Sequence, residues 1–173
     1  MAGNYYYVKT ASGFTGSKTS GSSATPLTGS FASIGEAGCY PRIEAAITAG
    51  AGAGDFIFCS DAHAWDGSTT TNIVWAGPAK SVTYSDVLTI MSVSDTACDA
   101  YSPGALEQNA NSADAVVSGL ISNYGVSMSV GDRLQGVPMS WYNRDMTLTM
   151  KTDYFQPNSE GNLVFFDNCT IDL

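Results

Sequence analysis

Only one stretch of the chain spaces its apolar residues at a helical interval. In "PRIEAAITAGAGAGD", Ile43, Ala46 and Ile47 fall at i, i+3 and i+4, one face of a 3.6-residue period. Pro41 suits a first helical position. Glycines 50, 52 and 54 stop the pattern. The spacing predicts one short helix near 41–49. Immediately after it, "DFIFCS" puts Phe56, Phe58 and Ser60 on one side of an extended strand and Ile57 and Cys59 on the other. Apolar residues on both sides predict a strand buried on both faces. "YYYV" at 5–8 is a further short strand of high β propensity.

From about residue 70 every apolar run reads as a strand. "NIVWAG", "SVTYSDVLTIMSVS", "DAVVSGLIS", "VSMSVGDRLQG", "MTLTMKT" and "NLVFFDNCTIDL" carry β-branched or aromatic residues between Gly, Pro, Asn and Asp turns. "MTLTM" alternates cleanly, with Met146, Leu148 and Met150 facing one way and Thr147 and Thr149 the other. Between the first strand and the helix lies "KTASGFTGSKTSGSSATPLTGS", rich in Gly, Ser and Thr. That composition predicts an irregular arm. The expected division is therefore an arm over 1–30 and a single β-rich domain over 31–173.

Composition narrows the function classes. The 173 residues fit one domain plus an arm. Net charge is −9, and seven basic residues are too few for a phosphate-neutralising stripe, so nucleic acid is not an expected partner. No apolar run reaches the length of a membrane span, and the N-terminus lacks the pattern of a signal peptide. Four widely spaced cysteines contain no CxxC pair, so free buried thiols are expected and a zinc site is not.

The stretch "SFASIGEAGCYPRIEAAITAGAGAGDFIF" resembles the opening of right-handed parallel β-helix proteins, in which a short Ala/Ile helix and a Gly-Asp turn lead into the first buried strand. Over about residues 30–173 the chain is similar to structural proteins of tailed bacteriophages, especially those with pectate-lyase-like β-helices. "VTYSDVLTIMSVSDT" and "VSGLISNYGVSMSVGDRLQG" carry that likeness, and the tail "NLVFFDNCTIDL" looks like a β-helix rung. The sequence departs from the family in showing no clean internal period, and only about five turns of roughly 20–25 residues fit after Asp55. The expected fold is mainly β: a short right-handed β-helix-like body with one N-terminal capping helix. The alternative is a compact β-sandwich or jelly roll.

The candidate chemistry is sparse. Asp61 and His63 stand at i and i+2, on one face of an extended backbone, with Asp66 just beyond. Together they are a weak candidate for a divalent cation, although the chain has no second histidine. The structural alternative is a strand end, with Asp61 accepting turn hydrogen bonds and His63 packed at a surface. Asp95, Asp99, Glu107, Asp114 and Asp132 include no pair whose separation the sequence fixes for glycoside cleavage. Arg133 and Arg144, each beside an Asp, read as turn or surface charges, and no lyase motif is recognisable. No GxSxG elbow occurs, and "GAGAGD" lacks the Lys-Ser/Thr of a phosphate loop. Trp141 and Tyr142 form an aromatic pair suited to a sugar ring or to an interface.

The resemblance implies a non-enzymatic virion structural protein without a cofactor. It would be a phage capsid decoration (cement) protein stabilising the shell, or a head or tail appendage, assembled in the host cytoplasm. It would act as a homotrimer on the major capsid protein or another virion protein. The arm, with Tyr5, Tyr6, Tyr7 and Phe14, would grip a neighbour. A polysaccharide-binding or -degrading β-helix module and a self-assembling filament subunit are the alternatives.

Overall fold

The computed structural model describes residues 3–66, 73–75, 88–96, 98, 126–130, 134–136, 141–144, 146–150, 155–157, 164–167 and 169–172. The chain is mainly β. An N-terminal strand β1 (Tyr5–Val8) precedes a small hairpin, β2 (Thr10–Ala11) and β3 (Phe14–Thr15). Helix α1 (Phe31–Ile34), a 3-10 turn (Glu36–Gly38) and helix α2 (Ile43–Thr48) follow. Next come β4 (Phe56–Ser60), β5 (Ala64–Asp66), β6 (Ile73–Trp75), β7 (Leu88–Val93), β8 (Val126–Val130) and β9 (Leu134–Gly136). The last strands are β10 (Trp141–Arg144), β11 (Met146–Met150), β12 (Phe155–Pro157), β13 (Val164–Asp167) and β14 (Thr170–Asp172). The expected strand in "DAVVSGLIS" lies outside the described residues.

Three sheets take the strands in rotation. Their orders are β1-β4-β7-β10-β13, β14-β11-β8-β5 and β12-β9-β6. Every strand pairing within these three sheets is parallel; among the described residues the β2–β3 hairpin and the isolated Tyr5–Ser23 bridge are antiparallel. The helix expected near 41–49 is α2, and the Gly turn hands it directly to β4. At that turn Gly54 takes φ +81°, a left-handed value that favours glycine. The Asp55 carboxylate accepts the Asn4 N–H at 2.8 Å and the Gly52 N–H at 3.0 Å. One side chain thereby ties the helix exit to the residue preceding β1.

β4 is buried along its whole length, as its two-sided pattern predicts. On one face Ile57 and Cys59 pack with Tyr6, Val8, Leu88, Ile90, Tyr40 and the apolar stripe of α2. On the other, Phe56 and Phe58 pack with Tyr5, Tyr7, Met91, Val93 and Phe31. The register Tyr5↔Phe56 and Tyr7↔Phe58 stacks aromatic on aromatic; the Tyr5 and Phe56 rings lie 5.3 Å apart at 15°. Such pairs add to the burial term.

These tyrosines were expected to grip a neighbour. Instead Tyr5, Tyr6 and Tyr7 are at most 5% exposed within their own chain. The reason is local: a strand apolar on both faces is stabilised most by a sheet already covered on both sides. The Gly/Ser/Thr segment supplies one of the covers. Its Phe14 and Leu27 pack against the aromatic face together with Ile34 of α1, and Phe31 of α1 is fully buried there. It also caps the free edge of β1. Tyr5 and Ser23 exchange both backbone hydrogen bonds, and Tyr40 bonds Tyr7 and Lys9. β1 is therefore a strand of the largest sheet. Helix α1, which has no periodic signal, rests on a reciprocal cap: Ser30 and Ser33 side chains each accept the other's backbone N–H.

The approach of residue 3 to the Gly turn gives a direct test. A Cβ at Gly3 would sit 1.8 Å from the Gly54 carbonyl oxygen, whereas one at Gly13 (φ +77°) meets nothing within 4 Å. In urea unfolding, Gly3→Ala is expected to cost more than about 2 kcal/mol. Gly13→Ala should cost only about 1 kcal/mol, through backbone strain alone.

Candidate functional site

A cluster of polar side chains forms where β1, β4 and β7 end side by side. Parallel pairing brings the ends together: Val8 stands opposite Cys59, and Ser60 opposite Val93. The next residues along are Lys9, Asp61 and the Ser94–Asp95 turn. Lys9, with its side chain only 9% exposed, donates from Nζ to Asp95 Oδ1 at 2.7 Å. Ser60 Oγ donates to the same oxygen at 2.6 Å. The Phe14 ring lies over the ammonium, 4.5 Å from Nζ to centroid, a cation–π arrangement. Burial by itself raises the Asp95 pKa. The Lys9 and Ser60 hydrogen bonds and the Lys9 charge outweigh it and hold the carboxyl below its ordinary value.

Asp61 and His63 belong to this corner but serve separate partners. Asp61 Oδ1 accepts the Asp95 backbone N–H at 2.9 Å, and the Asp61 N–H donates to the Val93 carbonyl at 2.9 Å. Asp61 thus bonds the neighbouring strand end, the structural role open to it from sequence. His63 is 1% exposed, and its Nδ1 accepts the Thr10 backbone N–H at 2.7 Å. An accepting Nδ1 places the ring proton on Nε2. Nε2 is buried and has no hydrogen-bond partner. Burial lowers the imidazole pKa to about 4, so the ring is neutral near pH 7. The histidine lies inside the protein, where a surface position had been the structural expectation.

Asp66 is in β5, and its side chain lies outside the described residues, as do those of Trp141 and Tyr142 in β10. The backbone places Trp141 opposite Leu88 and Val164, on the fourth strand of the five-stranded sheet. Phe14 is half-buried on Lys9. Among the described residues no three His, Cys, Asp or Glu side chains come together as metal ligands would. Of the carboxylates weighed for glycoside cleavage, Asp95 holds Lys9, and Asp99, Glu107, Asp114 and Asp132 lie outside the described residues. Arg133 lies outside them as well. Arg144 corrects the surface-charge expectation. It is 7% exposed, stands in register with Met91 and Asp167, and approaches the Asp167 carboxylate to 3.7 Å. The four cysteines are free thiols; burial pushes Cys39 up to about 12 and Cys59 higher still, which makes both inert.

Sequence reasoning missed Lys9. Its partner is 86 positions away, and no local pattern marks the pair. A lone Lys directly after a four-residue apolar strand was the only trace. Among the described residues, no helix is long and apolar enough to cross a membrane. Comparisons with protein-family models, curated proteins and solved structures found no match.

The ion pair should show in a mutant cycle read by urea unfolding. Asp95→Ala leaves the Lys9 ammonium buried beneath Phe14 and is expected to cost about 2 kcal/mol, below a fully buried pair because Asp95 is a third exposed. Lys9→Met leaves the Asp95 carboxylate without its counter-ion, but that group is a third exposed and keeps the Ser60 hydroxyl, so the cost should be smaller. The double variant should cost less than the sum of the two.

Proposed function

We propose that this protein is a non-enzymatic structural component of a tailed-phage particle, built on a short right-handed β-helix. The observation that carries the fold reading is the strand order. Each long sheet takes every third strand, in parallel and in register. A chain coiling through three sheets per turn produces that order, with β4-β5-β6, β7-β8-β9, β10-β11-β12 and β13-β14 as successive turns. Sandwiches and jelly rolls pair their strands antiparallel. Helix α2 and the segment between β1 and β4 close one end of the coil, as the resemblance to β-helix openings implies.

The functional half of the proposal rests on that resemblance and on the opposite end. By register Phe166 lies on the row of Tyr6, Ile57 and Ile90, all three buried, with Asn143 between Ile90 and Phe166. Ile171 likewise stands opposite Leu148. In the last turn, however, Phe166 is 37% and Ile171 43% exposed. Two large apolar side chains left exposed on the last turn suit a protein that buries that end in an assembly. The assembly proposed is a homotrimer on the virion, docked on the major capsid protein or another virion protein. Decoration of the shell is the first assignment and a head or tail appendage the second. Many identical sites let modest single contacts stabilise a shell.

Electron microscopy of the purified protein and of its native particle tests this reading. Density for the protein at capsomer centres is expected, and analytical ultracentrifugation should show a trimer. Replacing both Phe166 and Ile171 with Ser should weaken assembly at least tenfold. A monomer that releases reducing sugar from polysaccharide would overturn the proposal.

A further inference from the structure

Beyond the packing of Phe14 on the aromatic face and on Lys9, the β2–β3 hairpin is held by a few hydrogen bonds. Thr10 Oγ1 donates to the Pro41 carbonyl at 2.6 Å, and the Thr15 N–H reaches Glu36 Oε1 at 3.3 Å. The Gly16 N–H returns to the Lys9 carbonyl at 3.1 Å. The remaining point is the Thr10 N–H on His63 Nδ1, at 2.7 Å. This bond differs from the others in kind. It exists only while Nδ1 keeps a lone pair, that is, while the ring is neutral and its proton is on Nε2.

We propose that His63 and Thr10 form an acid-labile latch: protonation of His63 turns Nδ1 from acceptor into donor, unseats the β2–β3 hairpin and lifts Phe14 from the Lys9–Asp95 pair. The geometry forces the first step. An imidazolium Nδ1–H and an amide N–H cannot face each other at hydrogen-bond distance. The buried ring has no room in its present seat for a hydrated charge, since it is 1% exposed and its Nε2 already lacks a partner. The charged groups at this corner do not hold the cation in place. On the β1–β2 link, Lys9 is committed to Asp95. In the same turn, Asp61 accepts the Asp95 N–H, and in the turn after β7 Asp95 takes both Lys9 and Ser60. Across the hairpin, Glu36 accepts from Thr15. None bonds His63. The second step follows from the chain, because Phe14 is three residues from Ala11 on the partner strand of the hairpin.

The sign is fixed by the direction of the shift. The seated ring titrates at about 4 and a released one at its ordinary 6.5. The closed state is therefore fully favoured above about pH 6.5 and is lost progressively as pH falls toward 4. The inference rests on this corner alone and stands whether or not the virion reading does.

Amide hydrogen exchange of the full chain, corrected for intrinsic rates, tests it. Between pH 8 and pH 5, opening of Thr10–Thr15 should rise about thirtyfold while β4 amides stay protected. At pH 8 the nitrogen-15 shifts of His63 should show a proton on Nε2 and a bare Nδ1. His63→Asn, whose side-chain oxygen accepts the same N–H without titrating, should flatten the pH dependence. Glu36→Gln removes the hairpin's other titratable acceptor and should leave the thirtyfold change in place. A flat wild-type profile, a proton on Nδ1, an unchanged profile in His63→Asn or its loss in Glu36→Gln would each overturn the latch.

Discussion

The backbone edge of β1 is the constraint around which the N-terminal third is arranged. A strand at the margin of a parallel sheet presents a row of donors and acceptors that invite another chain. Here the chain covers its own margin. Ser23 closes it at Tyr5, and Tyr40 closes it at Tyr7 and Lys9. To bring Ser23 and Tyr40 to that edge, the intervening segment must run along the sheet. In doing so it lays Leu27, Phe31, Ile34 and Cys39 on the aromatic face. Edge satisfaction and apolar burial are thus served by one path of the chain. The glycines and serines that made it look like an arm are what let it follow that path.

The polar corner is the complement of this arrangement. Three parallel strands finish together, and their ends must satisfy backbone groups that no further ladder reaches. Asp61 and Asp95 take those groups, through side chain and carbonyl: Asp95 also receives the Phe31 N–H on its own carbonyl at 3.1 Å. Lys9 then neutralises Asp95 in a site dry enough to make the pair matter. Each charge at the corner is explained by a bond to the fold.

Much of this was legible in the sequence where the signal is local. The two-sided apolar run of "FIFCS", the α2 stripe and the strand "YYYV" occur where their patterns put them. Local patterns do not say what covers a face. The tyrosines of β1 carried the same letters whether their partner was Phe56 of the same chain or a neighbouring subunit, and only the register decides. The same applies to His63 and Arg144. One histidine near three aspartates reads as a surface cluster, yet its partner is the Thr10 amide, a group that every residue but proline carries and that therefore leaves no mark in sequence. Arg144 meets Asp167 across a strand pair, at a separation no short motif spans.

The parallel pairing of β1 with β4 also sets an order of events during synthesis. Tyr5 needs Phe56, and no residue between them offers the first strand a ladder of its own length. At about 5–20 residues per second, the stretch up to β4 takes several seconds to emerge after β1 has left the ribosome. For that interval three consecutive tyrosines and a valine are on show in a nascent chain without their sheet. The arrival of "FIFCS" supplies the strand that β1 pairs with, and with it the face that the small polar segment and α1 then cover.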